Sequence, residues 1–349
     1  MITTSPRSRQ RNGWQEELAQ AVSDPHELCR LLGLDPALAQ AAERLGSPFR
    51  LRVPHSFIRR MRRADPNDPL LRQVLPLGGE ATSPAGFSSD PLAERAALAA
   101  PGLLHKYRGR ALLIATGACA VHCRYCFRRE FPYGEQLAGA GRWRAALDAL
   151  AADPTIEELI LSGGDPLSLT NARLTELTGA LAAVPHLRRL RLHTRTPVVL
   201  PSRVDAGLTA WLGSLPWRTV IVLHINHANE IDAETRAAFN ELARADVMLL
   251  NQSVLLAGVN DSLAALRTLS ETLWEAGVLP YYLHLLDRVQ GTAHFEVDEA
   301  RARALAAQLA STLPGYLVPR LVREMAGAPA KLPLTPGPWV QALAGTAPE

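Results

Sequence analysis

From about residue 110 onward, short apolar runs alternate with amphipathic helical stretches at roughly 25–35 residues per unit. That rhythm restricts the chain to a parallel sheet with covering helices, because parallel strands need long crossovers and are buried on both faces. The runs are ALLIAT (111–116), IEELILS (156–162), LRRLRLHT (187–194), TVIVLHI (219–225), DVMLLNQ (246–252) and LPYYLHLL (279–286). Six such units imply an α/β fold, a partial (β/α)6 parallel barrel rather than a closed eightfold one. Upstream, WQEELAQAV, DPALAQAAERL and HSFIRRMRR alternate with Pro- and Gly-rich connectors, the pattern of a helical lobe. The expected division is a helical N-terminal lobe over 1–105, a barrel over 106–325 and a C-terminal segment over 326–349. The last 30 or so residues carry six prolines and read as a tail, not another unit.

Composition adds mainly exclusions. Hydrophobic residues at 47% and charged residues at 20% suit a well-packed α/β protein. No apolar run reaches the roughly 18 residues that a bilayer crossing needs. The stretch MITTSPRSRQRNGW has basic residues with no apolar region behind them, so no secretory signal is expected and the location expected is cytoplasmic. A net charge of +3, spread along the chain, argues for no nucleic-acid partner. Lysine is scarce. Lys106 and Lys331 are the only two, so any chemistry that needs a deprotonatable amine has two candidates.

Four cysteines in a chain of this kind do not suggest disulfides. Cys29 lies among apolar helical positions in ELCRLLGL and reads as a small buried hydrophobe. The other three, Cys119, Cys123 and Cys126, fall in GACAVHCRYCFRREF with C-x3-C-x2-C spacing, directly after the first barrel strand. Three thiolates on one compact loop suit three irons of a [4Fe–4S] cubane and leave the fourth iron open to a chelating cofactor. The alternative is a zinc site with His122 as fourth ligand, but His122 adjoins Cys123 and is awkwardly placed to close one tetrahedron. After the second strand comes ILSGGDPLSL, whose glycines permit close backbone approach to a ligand at the edge where barrels place their sites. A tight turn would explain the same glycines.

Together these features resemble the radical S-adenosylmethionine superfamily. That resemblance implies S-adenosyl-L-methionine on the open iron, with Gly163, Gly164 and Asp165 against its methionine amino group. The longer segments HKYRGR, CRYCFRR, HTRTPVVLP, HINHANEI, NQSVLLAGVND, YYLHLLDRVQGTAHF and LVPRLVRE look like the lysine 2,3-aminomutase family over roughly residues 50–340. Within it, LRVPHSFIRRM, DPNDPLLRQVLP and GFSSDPL look most like the short branch that serves β-lysylation of elongation factor P.

The family resemblance implies pyridoxal 5'-phosphate as a further cofactor, carried on a lysine. Lys331, in AGAPAKLPL, matches that lysine, although leucine follows where the family has threonine. Lys106 and Tyr107 match a basic–aromatic pair for the cofactor's phosphate and ring, and Arg110 adds to the phosphate site. Arg128 matches the arginine for the substrate carboxylate, where a bidentate fork suits the geometry. Asp287 matches an acid for the substrate ε-ammonium, and Glu324 falls where longer relatives have a second aspartate. His224, Asn226, His227, Asn229 and Gln252 sit at strand ends and are candidates for the cofactor pocket, Gln252 foremost for S-adenosylmethionine.

The activity implied is 2,3-amino migration converting L-α-lysine to β-lysine. A small redox protein such as flavodoxin or ferredoxin would supply electrons, and an elongation factor P lysyl ligase would use the product. A homo-oligomer is compatible with the sequence. Glutamate or arginine is the alternative substrate. A non-catalytic iron–sulfur electron carrier is the alternative of a different class.

Overall fold

The apolar runs form strands where their length and β-branched content lead one to expect them. The computed structural model describes residues 13–45, 49–76, 78–82, 84–137 and 143–334. Strands β1 (Leu98–Ala100) and β2 (Leu103–Tyr107) precede β3 (Arg110–Thr116), β4 (Glu158–Gly163), β5 (Arg189–Thr194), β6 (Arg218–Leu223), β7 (Met248–Val254) and β8 (Leu279–His284). Two short strands follow, β9 (Arg320–Arg323) and β10 (Leu332–Pro333). All ten lie side by side in chain order in one sheet. Each neighbouring pair from β3 to β9 is parallel; the β1–β2, β2–β3 and β9–β10 pairs are antiparallel.

Helices α1 (Gly13–Ala19), α2 (Pro25–Leu32), α3 (Pro36–Arg44) and α4 (His55–Ile58) build the N-terminal lobe, and a short α5 (Tyr133–Gln136) follows the cysteine loop. The crossovers are α6 (Arg144–Ala152), α7 (Asn171–Leu181), α8 (Thr196–Val199) with α9 (Ala206–Gly213), α10 (Ala233–Arg244), α11 (Leu263–Glu275) and α12 (Glu299–Thr312). Their starts are set locally. Asp24, Asp35, Thr170, Asp205, Asp232, Ser262 and Asp298 each accept a backbone N–H of the first turn, which supplies a partner the helix itself lacks. Among the described residues, no helix is long and apolar enough to cross a membrane.

The tail expected from about residue 320 is corrected at its start. β9 extends the parallel sheet beyond the six expected strands, pairing Tyr282 with Arg320, Leu283 with Leu321 and His284 with Val322. Prolines did not prevent this pairing because of where they fall. Pro319 precedes the strand, and Pro333 lies in the last strand of the sheet, where a missing N–H breaks no central ladder. The C-terminal segment beyond residue 334 lies outside the described residues.

A first apolar core fills the space between β3–β7 and helices α6, α7, α9 and α10, with Leu159, Leu161, Leu190 and Leu192 fully buried. A second core, around Phe57, Leu70 and Leu71, joins the N-terminal lobe to Val199 and Leu200. Cys29 lies in that core, 2% exposed, as a thiol among leucines should. Polar contacts fix the lobe against α8, just past the end of β5: Ser56 Oγ donates to the Val199 carbonyl at 2.7 Å, and Arg60 Nη2 to the Val198 carbonyl at 2.6 Å. The lobe thus covers the C-terminal ends of the middle strands.

Candidate active site

A cavity of about 500 Å³ opens at those strand ends, within the range of small-molecule sites. Of the site residues expected from sequence, all line it except Cys119, Gly164, His227 and Asn229. Two lie on β2 and one opens β3: Lys106, Tyr107 and Arg110. Glu324 immediately follows β9, and Lys331 immediately precedes β10. Pairing of Leu332 with Arg323 therefore folds the intervening turn so that Glu324 and Lys331 face each other.

The charged side chains are joined in one alternating chain. Arg128 donates through Nε and Nη2 to Glu94, both at 2.7 Å, and through Nη1 to Ser162 Oγ at 3.1 Å. Lys106 Nζ lies 3.0 Å from Glu94 Oε1 and 3.0 Å from Glu324 Oε1. Lys331 Nζ donates to Glu324 Oε2 at 2.8 Å. Burial alone would push the Glu324 carboxyl up, but Lys331 and then Lys106 outweigh it and hold it well below the usual carboxylate range. Glu94 is likewise held down, burial notwithstanding, by Arg128 and Lys106. Asp287 goes the other way. Burial, and then the nearby Glu324 charge, push it up to about 7 against the pull of Lys331 and Lys106. Arg110 stacks over the Tyr107 ring at 4.5 Å, and burial followed by the Glu324 charge keeps the Tyr107 phenol protonated.

The cysteine loop leaves β3 and is fixed by backbone bonds on two sides. Toward the lobe, His122 N donates to the Arg52 carbonyl and Arg124 N to the Gln73 carbonyl. Toward the glycine turn, Gly164 N donates to the Thr116 carbonyl and Asp165 N to the Ala118 carbonyl. The glycines are needed for that approach: a Cβ on Gly164 would sit 2.4 Å from the Ala118 carbonyl oxygen, and Gly163 adopts φ +113°. Asp165 accepts from Leu167 N, Thr194 Oγ1, Arg195 N and Thr196 N, tying the turn to the end of β5. Burial, and then neighbouring charge, push the Cys126 thiol up to about 11 and hold that of Cys119 well above its ordinary value. Among the described residues, no group of three or more His, Cys, Asp or Glu side chains is gathered closely enough to hold a single metal ion.

Arg195, from HTRTPVVLP, reaches the same loop. Its Nη1 donates to Cys123 Sγ at 2.8 Å and its Nη2 to Gln73 Oε1 at 2.7 Å and Glu230 Oε2 at 2.9 Å. His193 and His224 line the cavity with buried Nε2 atoms that have no hydrogen-bond partner among the described residues. Burial first, and then nearby positive charge, keep His224 neutral by lowering it to about 3. His284 Nε2 lies 3.4 Å from Lys331 Nζ. Asn226 and Gln252 line the cavity as well, whereas His227 turns away to cap Asn229 N at 3.1 Å. Sequence reasoning missed Glu94, for which no periodicity or motif gave a signal. It also missed Arg195, although its strand-end position in a quoted segment was a signal.

A parallel partial barrel with converging charges, glycines and cysteines at the C-terminal strand ends is the architecture of a barrel enzyme. No family model matches the chain. Curated relatives do. The L-lysine 2,3-aminomutase of Escherichia coli (strain K12) is 49% identical over 325 residues, 93% of this chain and 95% of that protein. The enzyme of the same name from Haemophilus influenzae is 47% identical over 95% of this chain and 98% of its own length. That from Clostridium subterminale is 32% identical over 93% of this chain and 78% of its length. Among solved structures, a radical SAM methyltransferase from Sphaerobacter thermophilus overlaps with a TM-score of 0.43 at 18% identity, covering 63% of this chain and 68% of that one. The chain belongs to the L-lysine 2,3-aminomutase family, and it is an isomerase.

Proposed function

We propose that this protein converts L-α-lysine to β-lysine by 2,3-amino migration. The reading takes Cys119, Cys123 and Cys126 as ligands of a [4Fe–4S] cluster, with S-adenosylmethionine on its open iron and pyridoxal phosphate on Lys331. The observation that carries it is the meeting, in one cavity, of Cys123 and Cys126 with both lysines of the chain. The residues present fit these groups. Three thiols share one loop with no disulfide, and two buried imidazole nitrogens in the cavity wall have no partner among the described residues, as suits groups that contact a ligand. When bound, the cluster and S-adenosylmethionine supply a carbon radical, and pyridoxal phosphate supplies an electron-accepting carrier for the migrating nitrogen.

The protein's share is placement. Arg128 has five N–H groups and gives three to Glu94 and Ser162, which leaves two for the substrate carboxylate. At the far end, Asp287 and Glu324 take the ε-ammonium. An arriving ammonium ion favours the ionised form of Asp287, so binding completes that pair. Lys106, Tyr107 and Arg110 hold the phosphate and ring. Gln252 and the neutral His224 offer hydrogen bonds without charge to the nucleoside end. Burial of the wall excludes water and stray hydrogen donors. By resemblance, a flavodoxin or ferredoxin supplies the electron, and an elongation factor P lysyl ligase uses the product.

Anaerobic incubation with S-adenosylmethionine, dithionite and each of lysine, glutamate and arginine tests the reading. The expected products are β-lysine from lysine and 5′-deoxyadenosine. A β-amino acid formed from glutamate or arginine in place of lysine overturns the substrate, and no product from any of them overturns the reaction.

A further inference from the structure

We propose that Glu94 is a positioning residue: its one carboxylate holds the substrate-carboxylate arginine and the cofactor-phosphate lysine at a fixed spacing. This rests on the roles given above to Arg128 and Lys106. Glu94 is almost fully buried, with 3% of its side chain exposed. A buried carboxylate requires paired charges, and Glu94 has two. The guanidinium of Arg128 meets it as a fork, with both bonds at 2.7 Å, the planar geometry that fixes orientation as well as distance. Lys106 Nζ meets Oε1 at 3.0 Å, the same oxygen that accepts from Arg128 Nη2. Neither cation can move without disturbing the other.

The backbone around Glu94 is built to hold it. Asp90 accepts from Glu94 N at 2.8 Å and from Arg95 N at 3.2 Å. Ala93, just before it, is held at φ +49°, a left-handed conformation that is strained for a non-glycine residue. Strain of that kind persists where the surrounding structure fixes a side chain to a purpose. Here it delivers a carboxylate to the Nε and Nη2 groups of Arg128. Without that carboxylate, Arg128 keeps its charge but loses its orientation, and Lys106 is left to Glu324 alone.

The test compares Glu94→Gln, Glu94→Asp and Arg128→Lys in the reconstituted enzyme, with pyridoxal phosphate affinity read by absorbance titration before turnover. Glu94→Gln is expected to raise both the lysine KM and the pyridoxal phosphate Kd about 10- to 100-fold, the effect of losing one or two charge-assisted hydrogen bonds. kcat falls much less than KM rises, whereas a merely structural defect lowers the active fraction and hence kcat. Glu94→Asp, which keeps the charge, restores part of both constants. It is read in the same way if the glutamine variant does not fold. Unchanged KM and Kd in the Glu94 variants, beside a raised KM in Arg128→Lys, overturn the proposal alone. An unchanged KM in Arg128→Lys removes the role of Arg128 and the proposal with it.

Discussion

Glu324 holds both lysines of the chain on one carboxylate: Oε2 accepts from Lys331 Nζ at 2.8 Å, and Oε1 accepts from Lys106 Nζ at 3.0 Å. Lys106 arrives on β2 and Lys331 just before β10, so the contact joins opposite ends of the sheet. In the proposed function only one of the two carries the cofactor, and their settings differ. Lys331 has the neutral His284 beside it and the Tyr282 ring 5.7 Å from Nζ, whereas Lys106 is flanked by two glutamates. Reduction with borohydride and peptide mapping should therefore place the pyridoxyl label on Lys331. Lys331→Ala should take no label and show no turnover. Label on Lys106 would reverse the two roles.

The raised Asp287 carboxyl makes a pH-dependent contribution to the unliganded fold. Its value of about 7 lies above the 3.8 of an ordinary aspartate, so the folded state binds a proton more tightly than the unfolded chain. Its contribution is fully present below about pH 4 and is lost as pH rises through about 7. Within that window the cost approaches about 1.4 kcal/mol per pH unit for one proton. Denaturant titrations of the apo protein between pH 5 and 8 should show a smaller fall for Asp287→Asn than for wild type. Parallel curves would show that Asp287 is ionised throughout.

Replacing Gly164 by alanine puts a methyl group 2.4 Å from the Ala118 carbonyl oxygen, one residue from Cys119. The cysteine loop must shift to accommodate it, at about 1–3 kcal/mol. Iron content after reconstitution should drop in Gly164→Ala, and Tm should fall with it. Each of Cys119→Ala, Cys123→Ala and Cys126→Ala should lose the iron–sulfur absorbance entirely. Normal iron in a cysteine variant would sink the cluster assignment.

Arg195→Met removes three donors and leaves the fully buried Glu230 without its cation. Breaking a buried pair in this way costs about 3–5 kcal/mol. The double variant Arg195→Met/Glu230→Gln, which leaves no unpaired charge, should recover much of that loss in chemical denaturation. Failure to recover would mean that the bonds to Gln73 and Cys123, not the ion pair, carry the cost.

The sequence made the barrel legible because parallel strands are continuous apolar runs, and six of them stand clear of their helices. β9 and β10 were obscured by their shortness and by prolines, which argue against strands except at starts and edges. The cysteine loop was legible from spacing alone. Glu94 was not, because its importance lies in pairing with Arg128 and Lys106, residues 34 and 12 positions away on other segments. The glycine pair was read as space for a ligand. The structure shows another demand on it, close packing of the turn against the backbone of the cysteine loop.

The Lys106–Glu324 bridge links residues 218 positions apart, where β1 and β10 end the sheet without a ladder between them. A contact of such long sequence separation forms only after the intervening chain is in place, since loop closure must precede its reward. The two borders of the site are therefore expected to separate before the middle of the sheet in local opening. Loading the cavity fastens that seam: amide hydrogens of β2 and β9 should exchange more slowly in the reconstituted enzyme, while those of β5 and β6 stay as they were.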